Sequence, residues 1–156
     1  MELYIHIPFC KSKCRYCDFC SFRAEEETIH AYLGKLKEEL IFWGKKLAAR
    51  DVVTVFIGGG TPSYLRREDI QMICETIFEH FHICEDAEIT IEANPGTVDL
   101  KKLCTYRENG INRISFGLQS TVKEELEYLG RIHTYEEFLQ SFDSVSYTHL
   151  TLPTNS

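Results

Sequence analysis

Apolar residues in this chain alternate between two spacings. Residues 3–7, LYIHI, form a short β-rich run ended by Pro8. Between 25 and 49 the period changes. Ile29, Tyr32, Leu33, Leu36, Leu40 and Trp43 recur at three- and four-residue steps and predict one apolar stripe on a helix. Glu25, Glu26 and Glu27 open that segment, and Lys45, Lys46 and Arg50 stand near its end, as the helix dipole favours. VVTVFI (52–57) is a continuous apolar run, which predicts a strand buried on both faces, and GGGTPS (58–63) breaks it. A second helix is predicted from about 67 to 81, with Ile70, Ile73 or Cys74, Ile77 and Phe81 inward. EITIEA (88–93) reads as a strand turned by NPGT, and 99–108 as a helix stopped by Asn109-Gly110. NRISFGLQ (112–119) is a fourth strand, followed by helical patterns at about 121–129 and 135–143.

Strands alternating with helices predict an α/β fold with right-handed crossovers and a parallel sheet. An open doubly wound sheet and part of a β/α barrel both fit. Period-two alternation favours the barrel. Tyr4 and His6 oppose Leu3, Ile5 and Ile7; Glu88, Thr90 and Glu92 oppose Ile89, Ile91 and Ala93; Arg113, Ser115, Gly117 and Gln119 oppose Ile114, Phe116 and Leu118. A sheet covered by helices on both sides would be apolar on both. One polar face suits a lumen that holds a polar ligand.

The 156 residues suffice for one domain with a sizeable core. A formal net charge of -7 argues against bulk attraction to nucleic acid or anionic lipid, while leaving room for a small basic site. No apolar run is long enough to cross a bilayer, and MELYIHIPFC has no secretory-signal pattern. A cytoplasmic location is expected, where thiols stay reduced and clustered cysteines hold metal or do redox work.

Such a cluster is present. CKSKCRYCDFC (10–20) carries Cys10, Cys14 and Cys17 as C-x3-C-x2-C, on a loop leaving the C-terminal end of the first strand. Three thiolates suit a [4Fe–4S] cluster with one iron left open. With Cys20 the same loop could close a four-thiolate zinc site, although zinc knuckles usually split into two separated pairs. Cys74 and Cys104 fall at or near core-facing positions and are expected to be small buried hydrophobes; Cys84 has no assignment. The GGG run alone is a weak turn signal, and no Gly-Lys-Ser/Thr follows to make it a phosphate loop.

YIHIPFCKSKCRYCDF resembles the signature of the radical S-adenosylmethionine (SAM) superfamily. FIGGGTPSYL, IEANPGT, GINRISFGLQS and LGRIHT resemble, in order, later motifs of the branch containing oxygen-independent coproporphyrinogen III oxidases and HemW-type haem chaperones. The resemblance covers residues 1 to about 144. It implies a partial (β/α)6 barrel of the TIM-like kind, of which about four β/α units are here, followed in the family by a C-terminal domain. Cys10, Cys14 and Cys17 would hold the cluster, and its free iron would chelate SAM, whose reductive cleavage yields a 5′-deoxyadenosyl radical. Tyr4, Tyr16, Gly59, Gly60, Thr61, Glu92, Gln119 and Arg131 match SAM-contacting positions: Tyr16 against adenine, the glycines and Thr61 at the methionine part, Glu92 toward ammonium or ribose hydroxyls. His6 points inward, and neither it nor His30 nor His133 has an assigned role; Lys11, Ser12, Lys13 and Arg15 read as solvated loop residues.

The oxidases usually carry a fourth cysteine two residues after the third, where this chain has Phe19. YCDF is the chaperone pattern. The resemblance therefore implies a chaperone that binds haem and hands it to an acceptor protein, with an electron donor as a further partner. The alternative is porphyrinogen oxidation, and a structural zinc domain is the third reading. VSYTHLTLPT (145–154) resembles a translated sequencing adapter, so 145–156 are expected to stand outside the domain formed by 1–144. An unclosed sheet would leave an unpaired edge and an aggregation-prone polypeptide.

Overall fold

Ile5, Ile57, Ile91 and Ile114 lie side by side across four parallel strands, and none is more than 2% exposed. That row is the spine of the core in the computed structural model, which describes residues 1–148 and 150–151. The strands are β1 (Glu2–Ile7), β2 (Asp51–Gly59), β3 (His82–Ala93) and β4 (Arg113–Phe116), in spatial order β1-β2-β3-β4. The helices are α1 (Glu26–Leu47), α2 (Arg67–His80), α3 (Leu100–Glu108), α4 (Lys123–Leu129) and α5 (Tyr135–Ser146), with a 3-10 turn at Pro62–Tyr64. All neighbouring strands pair in parallel, as expected from the alternation.

One face of the sheet is packed. Leu33, Leu36 and Leu40 of α1, Ile70, Ile73 and Ile77 of α2, and Leu103 and Tyr106 of α3 join the strand residues in a single core. Each such side chain contributes roughly 1.5–3 kcal/mol by leaving water. The opposite face carries the row Tyr4, Phe56, Thr90 and Arg113. Here the reading of β2 as buried on both faces fails: Val53 is 50% exposed, and Thr54 and Phe56 are only half-buried. Among the described residues no helix covers that side, and a register shift between Val52 and Thr54 turns Val53 outward.

Two further expectations are corrected. Trp43 is 44% exposed, and the inward position at that level belongs to Gly44. A Cβ on Gly44 would stand 2.6 Å from the His80 Cβ, so α1 and α2 approach too closely there for a large side chain. Cys104 is exposed, because Leu103 and Tyr106 take the inward face of the short helix α3. Cys74 is buried as expected, and burial pushes its thiol up to about 12.

Turns follow the local sequence. Asp99 caps α3 by accepting from the Lys102 N–H, and Gly110 takes the left-handed conformation (φ 86°) after Asn109 ends the helix. Thr134 and Glu137 form a reciprocal capping box that starts α5. The edge of β4 is partly covered. Ile114 N–H donates to the Thr151 carbonyl (3.0 Å), and Thr151 N–H donates to the Asn112 carbonyl (2.9 Å). Val145, Thr148 and Leu150 are buried. The rest of the adapter-like stretch, 149 and 152–156, lies outside the described residues.

Candidate functional site

Past their C-terminal ends the four strands release the loops that build one cavity of about 240 Å³, where parallel β/α folds gather their sites. β1 leads into the cysteine loop. Phe9 is fully buried, edge-on to Phe22 (5.6 Å) and Tyr32 (5.2 Å). Cys10 N–H donates to the Phe22 carbonyl (3.0 Å) and Phe22 N–H to the Pro8 carbonyl (2.9 Å), which pins both ends of the loop. Its middle docks on the end of α4: Arg15 N–H donates to the Leu129 carbonyl (3.0 Å) and the Arg15 guanidinium to that of Tyr128 (3.3 Å).

Cys10, Cys14 and Cys17 all line the cavity, with Cys10 buried and the other two half-buried. Cys20 is exposed and does not line it. Among the described residues no three His, Cys, Asp or Glu side chains converge tightly enough to hold a single metal ion. Two cysteine sulfurs receive hydrogen bonds: Thr61 Oγ1 donates to Cys10 Sγ and Arg131 Nη1 to Cys14 Sγ, each at 3.4 Å.

β2 continues straight into the wall opposite. Gly60 N–H donates to the Ile7 carbonyl and Thr61 N–H to the Phe9 carbonyl, both at 2.8 Å, drawing the glycine run against the cysteine loop. A Cβ on Gly60 would meet the Phe9 carbonyl at 2.7 Å and Cys10 Sγ at 3.0 Å. Only glycine fits that approach.

Glu92 ends the polar face of β3, and its Oε2 accepts from Gly59 N–H at 3.0 Å. Burial raises its pKa above the usual carboxylate range, against the opposing pull of that N–H and of His6. Gln119 adopts a positive φ of 70°, the one non-glycine residue to do so among the described residues, and also lines the cavity. Arg131 reaches across with Nη2 on the Asn94 Oδ1 (2.7 Å) and on the Gly117 carbonyl, while its Nε is buried without a partner among the described residues. Tyr16 lines the cavity too; partial burial raises its pKa, and the Arg131 charge offsets part of that.

Tyr4 is the residue this arrangement leaves out. It is 57% exposed, on the row of Phe56, and its hydroxyl meets His6 Nδ1 at 3.2 Å rather than the cavity. Partial burial raises its pKa, with a smaller push from the Glu92 charge. His6 in turn bonds the Cys20 carbonyl through Nε2 (3.2 Å) and packs where a Gly59 Cβ would stand.

Four residues contribute without a role assigned to them from the sequence. Ser12 and Lys13 are exposed, as read, and also line the cavity, where Lys13 Nζ donates to the Phe19 carbonyl (3.1 Å). Asn94, legible as the first residue of a turn and as part of IEANPGT but given no role there, stands between Thr61 and Arg131. His133 is buried, with Nε2 at 3.1 Å from the Leu118 carbonyl beside Gln119, and burial together with the Arg131 charge lowers its pKa. LGRIHT holds both Arg131 and His133, so a motif-level signal for the latter existed.

The chain is 44% identical over 138 residues to Heme chaperone HemW of Escherichia coli (strain K12), covering 88% of this chain and 36% of that protein. It is 38% identical over 141 residues to Heme chaperone HemW of Bacillus subtilis (strain 168), covering 90% and 37%. The solved structure of coproporphyrinogen III oxidase (HemN) from Escherichia coli, a radical SAM enzyme, superposes with a TM-score of 0.89 at 31% identity, over 96% of this chain and 35% of that one. The chain thus spans about a third of the length of the relatives it matches. Its four β/α units are those of a radical SAM TIM-like barrel. The pattern of the radical SAM superfamily runs over residues 4–146, and the chain belongs to that superfamily, in the branch of HemW and HemN.

Proposed function

We propose that this chain is the cluster- and SAM-binding part of a HemW-type haem chaperone, its domain formed by residues 1–144. The observation that carries the reading is one cavity lined by Cys10, Cys14 and Cys17 on one wall and by Gly59, Gly60, Thr61 and Glu92 on the other. The donor set fits a [4Fe–4S] cluster. Three thiols face a common space, a glycine backbone leaves room beside Cys10, and hydrogen-bond donors already point at two of the sulfurs. When bound, cluster and SAM together supply one-electron cleavage of a sulfonium carbon–sulfur bond.

The protein groups have separate tasks. The three thiolates would hold iron. Backbone at Gly59 and Gly60 admits a ligand closely, and Glu92 offers a carboxylate to an ammonium group. Tyr16 gives an aromatic face for adenine, while Gln119 and Arg131 border the far side. Tyr4, outside the lining, would join the site only through a SAM that extends past His6. Phe19, in the position where the oxidases usually have cysteine, and identity to HemW proteins support haem transfer to an acceptor protein over porphyrinogen oxidation.

Anaerobic reconstitution of the chain with iron and sulfide, followed by EPR with and without SAM, tests the binding half. A [4Fe–4S] signal altered by SAM is expected; a colourless zinc centre, or a signal indifferent to SAM, would sink it. The haem half requires a protein of the relatives' full length. There, haem binding and transfer without turnover of coproporphyrinogen is expected, and turnover would favour the oxidase.

A further inference from the structure

The carboxamide of Asn94 lies between the two side chains that touch cysteine sulfur. Its Oδ1 accepts from Arg131 Nη2 at 2.7 Å, and its Nδ2 donates to Thr61 Oγ1 at 2.9 Å. On their far sides Arg131 Nη1 donates to Cys14 Sγ and Thr61 Oγ1 to Cys10 Sγ. Directions matter here. Because Thr61 Oγ1 already accepts from the amide, its own proton is left for the Cys10 sulfur. Because Arg131 Nη2 is shared between Asn94 and the Gly117 carbonyl, the guanidinium plane is fixed with Nη1 on Cys14. Asn94 is itself anchored, its N–H on the buried Ser63 hydroxyl (3.2 Å) and its carbonyl accepting from the Thr97 hydroxyl (2.6 Å). Both jobs require a short side chain that donates and accepts at once.

We propose that Asn94 is a positioning residue that sets the reduction potential of the cluster held by Cys10, Cys14 and Cys17, acting through Thr61 and Arg131. The inference rests on the functional reading above. Hydrogen bonds to thiolate sulfur stabilise negative charge, and the reduced cluster carries more of it, so both bonds raise the potential. The sulfur contacts of Thr61 and Arg131 are additional to any contact with SAM.

The test is an EPR-monitored dithionite titration of the anaerobically reconstituted chain, with iron content and a thermal melt beside it. Asn94→Asp keeps the shape and the acceptor for Arg131 but accepts the Thr61 proton, removing the bond to Cys10. A midpoint more negative than wild type is expected, at unchanged iron content and melting temperature. Thr61→Val deletes the same hydroxyl and should shift the midpoint in the same sense. Combined, the two should shift it by less than the sum of the single shifts, because they remove one shared bond. The residual effect of Asp in the Val background measures its added charge alone. Additive shifts, or an unchanged midpoint in either single variant, would overturn the inference. So would a folded Asn94→Asp chain that binds no iron, since these bonds tune a cluster that three thiolates already hold. Should Asn94→Asp fail to fold, the midpoint of Thr61→Val decides. A wild-type chain that binds no cluster sinks this inference and the functional reading together, whereas cluster-loaded variants that match wild type sink this inference alone.

Discussion

Gly59 at the end of β2 donates its backbone N–H to the Glu92 carboxylate at the end of β3, across 3.0 Å. That bond joins the glycine run to the inward acid, and it holds the charge of Glu92 in a place where burial resists it.

The stability consequence has a definite sign. The folded-state pKa of Glu92 lies above its unfolded value, so ionisation costs the folded state more than the unfolded one. Below the ordinary glutamate pKa of about 4.3 neither state is charged and there is no penalty; the penalty grows as pH rises through the raised value. Glu92→Gln keeps an acceptor for Gly59 and removes the charge. Its melting temperature relative to wild type should therefore be higher at about pH 7 than at about pH 4, by a margin thermal melts resolve at roughly 2–4 °C per kcal/mol for a domain of this size. A difference that is flat with pH, or larger at low pH, would show that the burial of this carboxylate has been misjudged.

Two glycine-to-alanine changes should act oppositely. At Gly60 the new Cβ would meet the Phe9 and Ile7 carbonyls and Cys10 Sγ within 3.0 Å, and backbone cannot yield as a flexible side chain does. Gly60→Ala is expected to cost about 1–3 kcal/mol. At Gly34, inside α1, nothing lies within 4 Å of the added methyl group. Gly34→Ala should stabilise by roughly 0.5–1 kcal/mol. Urea denaturation of both variants checks the pair, and equal effects would mean that the cysteine loop is looser against β2 than its hydrogen bonds indicate.

Tyr106 offers a third test. Its side chain is fully buried, its hydroxyl has no hydrogen-bond partner among the described residues, and burial raises its pKa strongly. An unpaired buried hydroxyl costs free energy that a phenyl ring does not. Tyr106→Phe is expected to be neutral or stabilising by about 1 kcal/mol in denaturant titrations. A loss above that figure would reveal a partner for the hydroxyl, such as a bound water.

Where the sequence was readable, local pattern and tertiary packing agreed. Alternation in β1, β3 and β4 separated Ile5, Ile91 and Ile114 from Tyr4, Glu92 and Ser115 because one face of the sheet is covered by helices and the other is not. The same asymmetry was invisible in β2, whose inner face carries Phe56 and so reads as apolar on both sides. Periodicity on α1 places Trp43 inward because it cannot register how near α2 comes; Gly44 against His80 decides that level. Cys104 follows Leu103 by one residue and turns outward, a distinction that a nine-residue helix is too short to make plain. At the site, the motifs held the cavity-lining residues, but the role of Asn94 depends on two partners 33 and 37 positions away. No short-range pattern encodes that.

The three-thiolate reading separates from its zinc rival at Cys20. This thiol is exposed and off the cavity lining, while the carbonyl of the same residue meets His6 at 3.2 Å. A tetrahedral zinc site built from this loop would need all four cysteines, whereas a cluster with one open iron needs only Cys10, Cys14 and Cys17. Cys20→Ala should therefore leave iron and sulfide per reconstituted chain unchanged, and each of Cys10→Ala, Cys14→Ala and Cys17→Ala should abolish the cluster's visible absorbance. The backbone contact to His6 survives the Cys20 change, so a fold defect is not expected to confuse the result. Were Cys20→Ala to lose metal as completely as the other three, the site would be a four-thiolate centre with no open coordination position, and SAM could not be bound through it.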